Sequence, residues 1–115
     1  MIEFSDVLQA ANLLKDRVIR TPLVYSPTFS RLANAEVYLK LESLQMGGSF
    51  KVRGATYKLQ SNLEKIHSGV IAASVGNHAQ GVALAACAAG VPATIIMPVW
   101  ASISKQEATR AYEAE

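Results

Sequence analysis

Val70-Ile71-Ala72-Ala73-Ser74-Val75-Gly76-Asn77-His78-Ala79-Gln80-Gly81 is the passage on which the fold turns. Its four leading apolar residues follow Ser68-Gly69 and have the length and composition of a strand buried on both faces. Ser74 to Asn77 supplies turn formers, after which Val82-Ala83-Leu84-Ala85-Ala86-Cys87-Ala88-Ala89 is an alanine-rich helix that Gly90 ends. A second apolar run, Ala93-Thr94-Ile95-Ile96-Met97, is closed by Pro98 and reads as the next buried strand. Strand, helix, strand in this order is a β-α-β unit, which needs a parallel sheet with helices covering both faces. The fold class is therefore α/β, a parallel sheet with flanking helices.

Upstream, Ala55, Leu59, Leu63 and Ile66 repeat at helical spacing and predict a helix from Phe50 to about Ile66. Glu36-Val37-Tyr38-Leu39-Lys40-Leu41-Glu42 alternates strictly, as a half-exposed strand does. Pro22 forces Thr21 extended, and Leu23-Val24 continues that way. Pro27 and Ser30 bracket a short turn or helix containing Phe29 and Leu32. At the start, Ser5 is placed to cap a helix to about Lys15, with Val7, Leu8, Ala11 and Leu14 forming an apolar stripe. Downstream, Ser104-x-x-Glu107 has the capping-box form and opens a last helix. Two buried strands make a thin sheet, so exposed apolar surface is expected.

Composition removes several functional classes. Eleven basic and nine acidic residues give a net charge of +2 without a basic block, which implies no nucleic acid. The chain has no apolar run of membrane-spanning length, and Glu3 and Asp6 near its start argue against a secretory leader. Cys87 is the only cysteine, so no internal disulfide forms and a reducing cytoplasm is compatible; a small buried residue is its expected role. His67 and His78 have no cysteine or acidic partner at ligand spacing, so no metal site is expected. Gly76 and Gly81 fit neither a P-loop nor a dinucleotide fingerprint, and Ser74 has no suitably spaced triad partners.

The chemistry centres on Gly47-Gly48-Ser49-Phe50-Lys51-Val52-Arg53-Gly54-Ala55. Small residues there let backbone approach a ligand, and Phe50 offers a ring face. An amine held against such a surface loses solvation, which disfavours the ammonium and exposes a nucleophile toward carbonyl carbon. Taken alone, a lysine in a first helical turn is more often simply solvated. In the second segment, Ser74-Val75-Gly76-Asn77-His78 lies between strand and helix, where free N–H groups and the helix dipole form a site for an anion such as a carboxylate. Asn77 by itself could equally be an ordinary helix cap.

Together, Ser49-Phe50-Lys51-x-Arg53-Gly54-Ala55 and Ala73-Ser74-Val75-Gly76-Asn77-His78-Ala79-Gln80-Gly81 resemble the pyridoxal-phosphate-dependent threonine/serine dehydratases and related serine racemases of fold type II. The likeness runs from Arg20-Thr21-Pro22-Leu23 through Leu39-Lys40-Leu41-Glu42 to Met97-Pro98 and Ser104-Lys105. It implies a partial tryptophan-synthase-beta-like architecture in which residues 1–115 are an incomplete amino-terminal portion of the catalytic domain. It implies pyridoxal 5'-phosphate as cofactor, with Lys51 as its Schiff-base lysine and Phe50 and Asn77 at its ring. Ser74, Val75, Gly76, Asn77 and His78 would take the carboxylate of a small amino-acid substrate. By the same resemblance, the glycine-rich phosphate loop and the residue facing the pyridine nitrogen lie beyond Glu115, and the full-length form is a cytoplasmic homo-oligomer. Weak cofactor retention and little turnover by this chain alone are therefore expected. Gly47 departs from the family pattern, which often has a larger or hydroxylated residue there.

The resemblance also bears on the reaction. Similar racemases carry at Val75 a serine that donates a proton to the opposite face of the substrate, which valine cannot do. This favours elimination of water and ammonia, giving 2-oxobutanoate or pyruvate, over racemisation. A racemase-type enzyme, or a non-catalytic α/β fragment that pairs with a partner chain, are the alternatives. A β-replacement enzyme is disfavoured, because the sequence around Lys51 lacks the Asn-Pro-x-x-Ser-x-Lys-Asp arrangement of the sulfhydrylases.

Overall fold

β3 (Val70–Ala73) and β4 (Ala93–Ile96) pair in parallel, Val70 opposite Ala93 and Ala73 opposite Ile96, with α4 (Asn77–Ala89) as the connection between them. The computed structural model describes all residues from Met1 to Glu115. α3 (Lys51–Gln60) packs along α4, and this pair makes the most extensive contact between any two elements. Ala55 and Leu59 of α3 meet Ala79, Val82, Ala83, Ala85 and Ala86 of α4, with Ala93 and Ile95 of β4 beneath them. Alanines dominate this core because the helices approach closely, and Gly81 marks the closest point. A Cβ there would stand 3.0 Å from the Lys51 carbonyl carbon and 3.1 Å from the Val52 nitrogen.

The α/β class holds, with two differences in how the sheet is built. Both strands alternate between covered and open positions: Ile71 is 73% exposed and Ile96 58% exposed. The core contains Ala93 and Ile95 but neither Ile71 nor Ile96, so one face of the sheet is uncovered. The expectation of strands buried on both faces is corrected accordingly. Second, β1 (Leu23–Tyr25) and β2 (Tyr38–Lys40) do not extend the parallel sheet; they form a separate antiparallel pair, with Leu23 opposite Lys40. α2 (Pro27–Ala33) joins them, capped by Ser26, whose hydroxyl accepts the Phe29 N–H at 3.4 Å.

Helix boundaries shift for local reasons. α3 stops at Gln60, short of Ile66, and the Asn62 amide turns back to donate to the Lys58 carbonyl at 2.8 Å. α1 (Phe4–Leu14) begins before Ser5; Asp6 accepts the Glu3 N–H at 2.8 Å and closes a capping box. None of its residues is buried, so the stripe with Val7 and Leu8 lies open. α5 (Ile103–Arg110) takes Ser102 at its cap position, which puts Ser104 inside the first turn and corrects the capping-box reading. After α5 the chain turns back to β4. There Glu115 donates its N–H to the Ala93 carbonyl at 3.0 Å and accepts from the Ile95 N–H at 2.6 Å. Cys87 is exposed rather than buried, with its sulfur 3.8 Å from a Glu113 carboxylate oxygen.

Candidate active site

Two backbone devices bring the motifs together. Gly47 and Gly48 both adopt φ +69°, a left-handed conformation open to glycine, and so turn the chain sharply into Ser49. Ser49 is buried, and its hydroxyl accepts the Lys51 N–H at 3.4 Å as α3 begins. The absent side chain at Gly81 then lets the first turn of α3 rest on α4, one turn in from Asn77 and His78.

Phe50, Lys51 and His78 line one cavity of about 490 Å³, with Gly54, Ala55, Leu59, Val70, Ile71, Ala72 and Val82 as its mostly apolar wall and Lys58, two helical turns on from Lys51, as a second amine at its edge. Lys51 Nζ stands 5.0 Å from the centre of the Phe50 ring, a cation–π distance. Both side chains are exposed, so the dry surroundings expected for Lys51 are not present within these residues.

The turn at 74–78 is tied to the sheet by the Ser74 N–H, which donates to the Ile96 carbonyl at 3.2 Å. The Ser74 hydroxyl accepts the Gly76 N–H at 3.3 Å. Gly76 occupies the cap position of α4 and offers no side-chain acceptor, leaving the first helical N–H groups available to an anion. Asn77 is the first residue of the helix, not its cap. Ser74, Val75 and Gly76 are half-buried, while Asn77 and His78 are exposed. His78 reaches the cavity with Phe50 and Lys51; Ser74, Val75, Gly76 and Asn77 are not among its lining residues.

A group that the sequence reading overlooked lies behind α3. Arg53 forks onto Glu42, Nε to Oε2 at 2.8 Å and Nη2 to Oε1 at 2.7 Å, and Nη2 also donates to the Ile19 carbonyl at 3.1 Å. The buried Thr21 hydroxyl donates to the same Glu42 oxygen, Oε1. Buried Gln45 accepts the Ile19 N–H at 2.9 Å and donates to the Ile19 carbonyl at 2.8 Å. The Arg53 hydrogen bonds, helped by Thr21 and opposed by partial burial, hold the Glu42 carboxyl at about 2, well below its ordinary value. In the sequence Glu42 stands as a strand end and as part of the family likeness, with no partner assigned. The available signal was an acidic residue closing the alternating run, with Arg53 on the following helix.

The whole arrangement is an exposed amine beside an aromatic ring on a mostly apolar cavity that His78, from the first turn of the uncapped α4, also lines. Residues 14–115 match the family model described as pyridoxal-phosphate dependent enzyme, and this chain belongs to that family. Its fold is the type II fold of such enzymes. The chain is 51% identical over 111 residues to the L-threonine ammonia-lyase of Thermotoga maritima, covering 96% of this chain and 28% of that protein. Maize serine racemase superposes with a TM-score of 0.90 at 33% identity, covering 98% of this chain and 35% of the racemase. Threonine deaminase isoform 2 from Solanum lycopersicum gives 0.83 at 38% identity, covering 96% and 33%. The chain thus spans about a third of the length of the relatives it matches.

Proposed function

We propose that this chain supplies the lysine-bearing, amino-terminal part of a pyridoxal-phosphate-dependent ammonia-lyase acting on L-threonine or L-serine. The observation that carries the reading is the joint placement of Phe50, Lys51 and His78 on one cavity at the junction of α3 and α4. The residues fit the cofactor's ring and aldehyde in kind: a primary amine, an aromatic neighbour, and a cavity within the roughly 300–1,000 Å³ range of small-molecule sites. Bound there, pyridoxal phosphate supplies the electron sink that makes the α-proton of an amino acid removable.

Lys51 would hold the aldehyde, and its free amine would take the substrate α-proton on Nζ. Lys51 would pass that proton to the β-hydroxyl, which would leave as water, and addition of one water would release ammonia with 2-oxobutanoate or pyruvate. The N–H groups opening α4 bind the substrate carboxylate, with Ser74 to His78 shaping that turn. Asn77, at the same turn, would reach the ring from the helix start. Val75 brings no exchangeable proton to the turn, which supports elimination over the racemase-type alternative. A homo-oligomer in the cytoplasm is the setting this reading implies.

The test is reductive trapping. Pyridoxal 5'-phosphate is added, the adduct is reduced with borohydride, and the modified lysine is located by peptide mass spectrometry. Lys51 should carry most of the label, and Lys51→Ala should remove it. Equal labelling across all lysines would refute the assignment.

A further inference from the structure

Little local fixes the start of α3 beyond the long bond from the Lys51 N–H to the Ser49 hydroxyl at 3.4 Å. Its cap residue, Phe50, makes no side-chain capping bond, and two glycines with positive φ precede it. Lys51 must nevertheless keep its backbone against Gly81 if its amine is to stay at the cavity. The only side chain in the first turn with directional anchors is Arg53. Residues two apart on a helix are separated by about 200° around its axis, so Arg53 grips from the side away from Lys51.

We propose that Glu42 and Arg53, held by Thr21 and Gln45, are positioning residues for Lys51, locking the first turn of α3 onto Gly81. The proposal deepens the assignment of Lys51 and rests on it. A planar guanidinium fork on a carboxylate fixes orientation as well as distance, which a lysine in its place could not do. The carboxylate is itself held: Thr21 reaches it from the stretch before β1, and Gln45 clasps the backbone of Ile19 beside it. The Glu42 and Arg53 side chains keep 16% and 30% of their exposure, and a part-exposed pair contributes little to stability alone. Six hydrogen bonds among Ile19, Thr21, Glu42, Gln45 and Arg53 define a geometry beyond what that small stabilisation requires.

The experiment reads by peptide mass spectrometry the Lys51 share, taken as the ratio of reductive pyridoxal label on Lys51 to that on the exposed Lys65 and Lys105, neither of which lines the cavity. In parallel, deuterium exchange is followed at Ser49 to Ala55. Glu42→Ala and Arg53→Ala should each lower the ratio of Lys51 label to that of the reference lysines about tenfold, toward parity, and speed exchange in that segment alone. Arg53→Lys should not restore the share, whereas the double exchange Glu42→Arg with Arg53→Glu should recover part of it. Variants that keep the wild-type circular dichroism and the wild-type Lys51 share would overturn the proposal. Should the alanine variants not fold, Thr21→Val removes one hydroxyl, and an unchanged share there overturns it too. If wild-type label does not favour Lys51, the functional reading fails instead. The clamp is then judged by exchange alone, where no acceleration from Ser49 to Ala55 in Glu42→Ala counts against it.

Discussion

Glu42 is the residue whose protonation the fold opposes. Its carboxyl is held at about 2, chiefly by the Arg53 hydrogen bonds, against an ordinary value of 4.5. A depressed carboxyl contributes stability that is fully present above the ordinary value and is lost as pH falls through the folded one. The wild-type chain should therefore lose roughly 1–2 kcal/mol between about pH 4.5 and pH 2 through this group, after allowance for solvent screening. Glu42→Gln should abolish that component, as urea titrations of the two proteins across this range would show. An equal acid slope in both would mean that the pair contributes nothing. Lys51 carries the complementary prediction for binding: Lys51→Arg keeps the charge but should lose covalent capture of the aldehyde, checked by the absence of reducible label.

At the scale of elements, the α3–α4 crossing decides where the motifs meet. Gly81→Ala adds a methyl group 3.0 to 3.1 Å from Lys51 and Val52 backbone atoms, which cannot swing aside. Alanine's better helix propensity returns about 1 kcal/mol, and overpacking costs about 1–3 kcal/mol. We expect a net loss of about 1 kcal/mol and a lower melting temperature; an unchanged or higher one would show that α3 moves freely. The elements themselves were largely legible. α4 runs from Asn77 to Ala89 as its alanine run and Gly90 required, and β4 lies within the apolar run before Pro98. What periodicity could not show was cover. Ile71 and Ile96 belong to strands that read as fully buried yet lie open, and α1, although it touches α3, leaves Val7 and Leu8 of its stripe exposed. The end of α3 depended on a side-chain bond from Asn62, and the Glu42–Arg53 clamp on partners brought together only by the fold. The spacing of Lys51 and His78 likewise gave their chemistry but not their common cavity, which needs the close approach at Gly81.

The whole molecule has more surface than its mass accounts for. A folded monomer of 12.3 kDa should expose about 6,100 Å², whereas this chain exposes 8040 Å². Its radius of gyration is 16.4 Å against about 13.4 Å for a compact domain of this length. Much of that surface is apolar, with Ile2, Leu32, Val99, Trp100 and Ile103 each more than 70% exposed. The excess, roughly 1,900 Å² on a single chain, is more than twice the ~800 Å² that each partner contributes to a standard protein interface. We expect the isolated chain to associate, its light-scattering mass rising above 12.3 kDa with concentration and its surface binding an apolar dye. A constant monomer mass without dye binding would refute this. The pairing of Glu115 with Ala93 and Ile95 has a practical bearing on all of these measurements. Any polyhistidine or fluorescent label joined after Glu115 would leave alongside β4 and disturb its outer rim, whereas Met1 is fully open to solvent. Handles for purification and immobilisation therefore belong at the amino end.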